Sequence, residues 1–169
     1  MRHTITILVE NEFGVLTRVA GLFSARGYNI ESLNVAPIQD KTVSCMTIVT
    51  RGDERAMEQI KKQLNKLIPV IKVEDISHTV HLEREMLLVK VNASADTHDA
   101  LIELTSSFDA DVIADHIDSH IILELTGKAQ QLDEFLSRLT PYGISGMTRT
   151  GPVGMRRDAK GFRATTQHP

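Results

Sequence analysis

Residues 4–35 read TITILVENEFGVLTRVAGLFSARGYNIESLNV, and the change of period inside this stretch decides the fold. Thr4 to Glu10 alternates with β-branched residues, the pattern of a strand. Asn11, Glu12, Phe13 and Gly14 interrupt it. Val15, Leu16, Val19, Leu22 and Phe23 then fall on one face of a helix, which Gly27 ends. Asn29 to Pro37 returns to a strand pattern, and Lys41 to Arg51 gives a third strand across a Gln39-Asp40 turn. A second helix is entered at Gly52-Asp53, carries Met57, Ile60, Leu64 and Leu67 inward, and places Lys61, Lys62 and Lys66 late, as the helix dipole favours. Pro69 stops it, and Val70 to Ile76 is a fourth strand. The order βαββαβ is the split arrangement of ferredoxin-like domains.

The same order recurs after about 80 residues. Met86 to Ala93 predicts a strand, Leu101, Leu104 and Phe108 a helix, Asp111 to Ile117 and His120 to Thr126 a hairpin, Leu132, Phe135, Leu136 and Leu139 a helix, and Ile144 to Thr148 a last strand. The fold class is α+β: two tandem βαββαβ units over 1–78 and 79–150, with 151–169 a mobile basic tail. Short connections order each sheet 4-1-3-2, so the second strand is an edge, where Pro37 is tolerated. That strand is apolar and carries few lysines, which invites pairing with a second copy of the chain.

Composition narrows the function. With no Trp, two Tyr and five Phe in 169 residues, the chain lacks the rings that stack bases or sugars. Net charge is +1 over 1–78, −7 over 79–150 and +3 over 151–169, a poor profile for binding nucleic acid. A single cysteine, Cys45, expected in the core, permits no internal disulfide and fits a reducing cytoplasm. No apolar run approaches a membrane span. No nucleophile elbow, phosphate loop or metal-spaced Cys/His pattern is present, so neither catalytic residues nor a cofactor is expected in this chain. The nearest metal candidates are the Asp115-His116-Ile117-Asp118-Ser119-His120 hairpin and the pair His78 and His81, for which solvated turns are the expectation.

The two repeats differ where ligand chemistry could sit. The first places Asn11 and Gly14 before its first helix, whereas the matching loop Asn92-Ala93-Ser94-Ala95-Asp96 has no glycine. A helix N-terminus offers unpaired N–H groups and partial positive charge to a carboxylate, and a glycine admits a ligand close to that backbone. Asn11 can both donate and accept. A cap and a turn glycine account for the same residues without a ligand. Asn29, after the Gly27 helix stop, begins the edge strand.

These residues resemble a family. Glu10-Asn11-x-x-Gly14-Val15-Leu16, Arg26-Gly27-Tyr28-Asn29-Ile30-Glu31-Ser32-Leu33, Met46-Thr47-Ile48 and the closing Arg149-Thr150-Gly151-Pro152-Val153-Gly154 are similar to the regulatory small subunits of acetohydroxyacid (acetolactate) synthase, which begin with an ACT domain. The resemblance implies a non-catalytic cytoplasmic subunit of branched-chain amino-acid biosynthesis. Such a subunit activates a catalytic large subunit carrying thiamine diphosphate, Mg and FAD, and confers feedback by valine, leucine or isoleucine. It further implies a homodimer through the ACT domains, with Asn11, Gly14 and Val15 of one chain and Asn29 and Ile30 of the other holding the effector. Phe13 departs from the pattern as a bulky loop residue. A free-standing tandem ACT-type regulator, for example of transcription, shares the fold and the loop.

Overall fold

The computed structural model describes residues 1–159, 161 and 162. They divide into two compact units, 1–83 with the C-terminal segment from Val153, and 84–152.

The first unit runs β1 (Arg2–Glu10), α1 (Val15–Ser24), β2 (Ile30–Pro37), β3 (Val43–Arg51), α2 (Glu54–Leu64) and β4 (Val70–Asp75). Its antiparallel sheet is ordered β2-β3-β1-β4, the expected 4-1-3-2 with β2 on an edge. Ile5, Ile7 and Val9 point from β1 to the helices, where they meet Val15, Val19 and Phe23 of α1 and Met57, Ile60 and Leu64 of α2. The period-two and period-3.6 stripes thus close on one another. Asp53 caps α2, its side chain accepting from Ala56 N–H at 2.7 Å. At the other end of α1, Gly27 sits at φ +72° and Tyr28 N–H reaches back to Phe23 O at 3.1 Å, so the helix stops and the chain turns into β2.

The second unit contains most of β5 (His81–Asn92), then α3 (Ala95–Ser107), β6 (Asp111–His116), β7 (His120–Gly127), α4 (Ala129–Leu139) and β8 (Ile144–Arg149), in the order β6-β7-β5-β8. Leu87, Val89, Val91, Leu101, Leu123, Leu132, Phe135 and Leu139 form its core. Arg149 holds the buried Glu85 carboxylate by two bonds of 2.8 and 3.0 Å and reaches Asp133 at 2.7 Å.

Three expectations change. First, Val153–Arg156, assigned to a mobile tail, is a strand, β9, of the first unit. Gly154 lets it approach the face of the sheet away from the helices: a Cβ there would lie 2.6 Å from Ile76 Cδ1 and 3.2 Å from Thr4 Cγ2. Arg156 binds Glu74 at 2.7 Å, and Arg157 N–H donates to Val80 O at 2.9 Å. A four-residue strand with one glycine carries too little periodicity to be read locally. Lys160 and Arg163, the rest of the basic tail, lie outside the described residues. Second, the units part between Glu83 and Arg84, within β5, which begins five residues before the predicted Met86. Third, Cys45 is half-buried on the face away from the helices, because it pairs with Leu8 in register and not with an inward residue. It lines a cavity of about 470 Å³ with Thr6, Leu8, Ile76, Met155 and Phe162. Burial raises its thiol pKa.

Candidate functional site

Gly14 is the N-cap of α1 at φ +82°, a conformation that side-chain-bearing residues seldom adopt. Gly14 has no side chain to cap this helix, and the first turn has no acidic residue. The first intrahelical bond is Arg18 N–H to Gly14 O at 3.0 Å, so Leu16 and Thr17 keep the N–H groups that a first turn leaves without an intrahelical acceptor. Val15 is buried, its side chain committed to the core, and only its backbone faces the loop. Phe13 is fully exposed.

The loop is held from outside. Asn11 N–H donates to Thr42 O at 2.7 Å and Asn11 Nδ2 to Lys41 O at 2.9 Å. Thr42 in turn gives Asp40 Oδ1 its N–H at 2.9 Å and its hydroxyl at 2.7 Å, which hold the Asp40 carboxyl below its ordinary pKa. Asn11 Oδ1, an acceptor, takes no part in the bonds to Lys41 and Thr42. The support from Asp40, Lys41 and Thr42 was not foreseen, although Asp-x-Thr is a known turn signal.

The equivalent end of α3 is closed by its own side chains. Ser94 N–H donates to Thr97 Oγ1 at 3.1 Å, and the two hydroxyls lie 3.1 Å apart. Asp118, itself at φ +66°, reaches from the hairpin to accept from Ala95 N–H at 2.9 Å. The N–H groups of Ser94 and Ala95, at positions matching Gly14 and Val15, are thus taken by side chains.

Asn29 and Ile30 are not brought to this loop within one chain. Ile30 registers with Thr50 and Thr50 with His3, at the start of β1, whereas Asn11 follows Glu10 at its end. Eight residue steps separate His3 from Asn11, roughly 26 Å. Asn29 is exposed, its carbonyl accepting from Thr50 Oγ1 at 2.7 Å, and Ile30 packs partly against the core. The end of β2 lies on Asn11's side: Pro37 registers with Ser44, next to Val43 opposite Glu10. Antiparallel pairing of β2 with the β2 of a second copy would place Asn29 of one chain on the side of Asn11 of the other.

The hairpin metal candidate is committed elsewhere. His116 and His120 rings lie 4.7 Å apart, but Asp118 caps α3, and Ser119 Oγ lies 2.9 Å from His120 Nδ1. Asp115 bonds His98 Nε2 at 2.8 Å and raises that imidazole's pKa.

Comparison with known proteins matches residues 5–72 to the AHAS small subunit-like ACT domain and 84–158 to the small subunit of acetolactate synthase. The chain is 46% identical over 160 residues to a probable acetolactate synthase small subunit of Archaeoglobus fulgidus, covering 95% of this chain and 99% of that one. It is 45% identical over 164 residues to the acetolactate synthase isozyme 3 small subunit of Escherichia coli K12, covering 96% and 100%. The crystal structure of an acetolactate synthase small subunit from Thermotoga maritima superposes with a TM-score of 0.86 at 33% identity, covering 93% and 98%.

Proposed function

The chain belongs to the family of acetolactate synthase small subunits, and on that premise we propose that it senses a branched-chain amino acid and relays its level to a catalytic large subunit. The observation that carries the effector reading is the contrast between the two helix entries. The α1 entry joins Gly14, which has no side chain to cap the helix, to a braced Asn11, whereas at the α3 entry side chains of Thr97 and Asp118 accept from Ser94 N–H and Ala95 N–H.

The effector's carboxylate takes the N–H groups at the start of α1, its ammonium takes Asn11 Oδ1, and its aliphatic side chain lies at the seam between two chains. Asn29 and Ile30 of the second chain complete the site. One methylene contributes about 0.8 kcal/mol on burial, about fourfold, and about 1 kcal/mol or more in discrimination, so valine differs from the one-carbon-larger leucine and isoleucine by about fourfold to tenfold. An effector bridging two chains ties feedback to the dimer. By linkage, whatever factor the effector takes from the large subunit's binding, the large subunit takes from the effector's.

Calorimetric titration of the full chain with valine, leucine and isoleucine, with and without the large subunit, tests this. Saturable heat at about one effector per chain or per dimer interface, weakened by the large subunit, is expected. Absence of heat with all three amino acids, or acetolactate formation from pyruvate by this chain alone, overturns it.

A further inference from the structure

Three ligand-type side chains converge at one corner of the first unit, away from the effector loop. His3, on β1, is fully buried, and its Nδ1 lies 3.1 Å from Asp75 Oδ2. A carboxylate only accepts, so Nδ1 carries the proton and Nε2 is the nitrogen left for a metal. That Nε2 is buried and has no hydrogen-bond partner among the described residues. Buried polar atoms are rarely left so. Asp75 is itself fixed, its Oδ1 accepting from Ser77 N–H at 3.0 Å and Ser77 Oγ–H at 2.5 Å. A carboxylate behind an imidazole is the arrangement that sets the tautomer and orientation of metal-binding histidines.

His78, in the turn after β4, and Glu54, at the start of α2, stand in front of it. The rings of His3 and His78 are 6.0 Å apart at 68°, and His78 Nε2 lies 2.9 Å from Glu54 Oε1. One nitrogen of each histidine and one Glu54 oxygen all fall within 4.8 Å of one another. Ligands about 2.0–2.1 Å from a tetrahedral ion stand about 3.3–3.4 Å apart, so small shifts close the set. The two groups that must shift are the exposed ones, with side chains 52% exposed for His78 and 62% for Glu54. The other nearby histidine, His81, is occupied by Thr79 O at 2.8 Å and Glu83 at 3.4 Å.

We propose that His3, His78 and Glu54 bind a late first-row divalent cation of the Zn²⁺ type, with water in a fourth position. Two imidazoles and one carboxylate suit such an ion, whereas Mg²⁺ and Ca²⁺ favour all-oxygen sets. The ion joins the start of β1, the start of α2 and the turn after β4, and it gives the buried Nε2 a partner. The site is independent of the regulatory reading.

The test uses the full chain, stripped with chelator and titrated with Co²⁺ and then Zn²⁺. One Co²⁺ per chain with the visible absorption of a four-coordinate ion, displaced by Zn²⁺, is expected, with a higher melting temperature in Zn²⁺. His78→Ala and Glu54→Gln, both at exposed positions, should each weaken binding tenfold or more with the circular dichroism spectrum unchanged. His3→Gln should abolish it. No binding at about 100 μM Zn²⁺, or binding that His116→Ala removes and His78→Ala leaves intact, overturns the proposal.

Discussion

Gly14→Asp puts a carboxylate where the effector's carboxylate is proposed to lie. A Cβ at Gly14 meets nothing within 4 Å, so the substitution brings no clash. The backbone at φ +82° costs an L residue about 1 kcal/mol, least for Asp and Asn, and capping α1 offsets part of that. The fold should therefore survive. Two carboxylates about 5 Å apart repel by about 0.8 kcal/mol in a water-like dielectric and about 3.3 kcal/mol at an effective value of 20. Valine should thus bind about fourfold to 250-fold more weakly, and its own donors are taken by the new cap. Gly14→Asn caps without charge and Gly14→Ala strains without capping, so the three variants separate the causes. In calorimetry the affinities should fall in the order Ala, Asn, Asp, and with the large subunit present the Asp variant should lose feedback while activation persists. An Asp variant that binds valine within twofold of the unsubstituted chain would refute a carboxylate site at the α1 N-terminus.

Further outcomes test the framework around the site. Arg149→Met leaves the buried Glu85 carboxylate without its two-pronged partner; an urea-denaturation loss of about 2–4 kcal/mol is expected, largely restored by adding Glu85→Gln. Gly154→Val drives a side chain into Ile76 and should cost about 1–3 kcal/mol, read as faster hydrogen exchange at Arg157 N–H, which β9 holds against Val80. For Glu83, burial raises the carboxyl's pKa, but bonds from Arg2 and Thr4 outweigh it and leave the pKa below its ordinary value. The unfolded chain then binds the proton first, so Glu83's contribution is present above about pH 5 and is lost as the pH falls through its folded pKa. Glu83→Gln should flatten the drop in urea midpoint between pH 5 and pH 3; an unchanged slope refutes the assignment. Ser94→Ala removes the hydroxyl paired with Thr97 Oγ1 at the α3 entry, at a cost of about 1 kcal/mol in thermal stability, and should leave valine affinity unchanged.

The elements were legible because each carries its own period. Ile5, Ile7 and Val9 against Val15, Val19 and Phe23 show the switch from strand to helix within twenty residues, and Gly14 and Gly27 mark its corners. The loop residues of the proposed effector site stand out for the same reason: Asn11 and Gly14 stand where a strand must become a helix. What held Asn11 in place was not, since Lys41 and Thr42 meet it only after β1 and β3 are in register. The strand β9 escaped because what makes it a strand is its pairing with β5, and the close approach that Gly154 permits is to Ile76, both far from it in sequence.

His3 shows the same division most sharply. In the sequence it is a histidine between Arg2 and Thr4 at the start of an alternating run, and the metal candidates that local spacing singles out lie at His78 with His81 and in the hairpin. Only the sheet brings Asp75 behind His3, and only the packing of α2 and the turn after β4 brings Glu54 and His78 in front of it. By itself the sequence determined the order of elements, the strand at the edge and the loop with a glycine, since these follow from periodicity and turn chemistry among near neighbours. The tertiary structure decided which helix entry stays open, which strand covers the far face of the sheet and which histidine nitrogen is left unpaired, because each depends on atoms far apart in the chain.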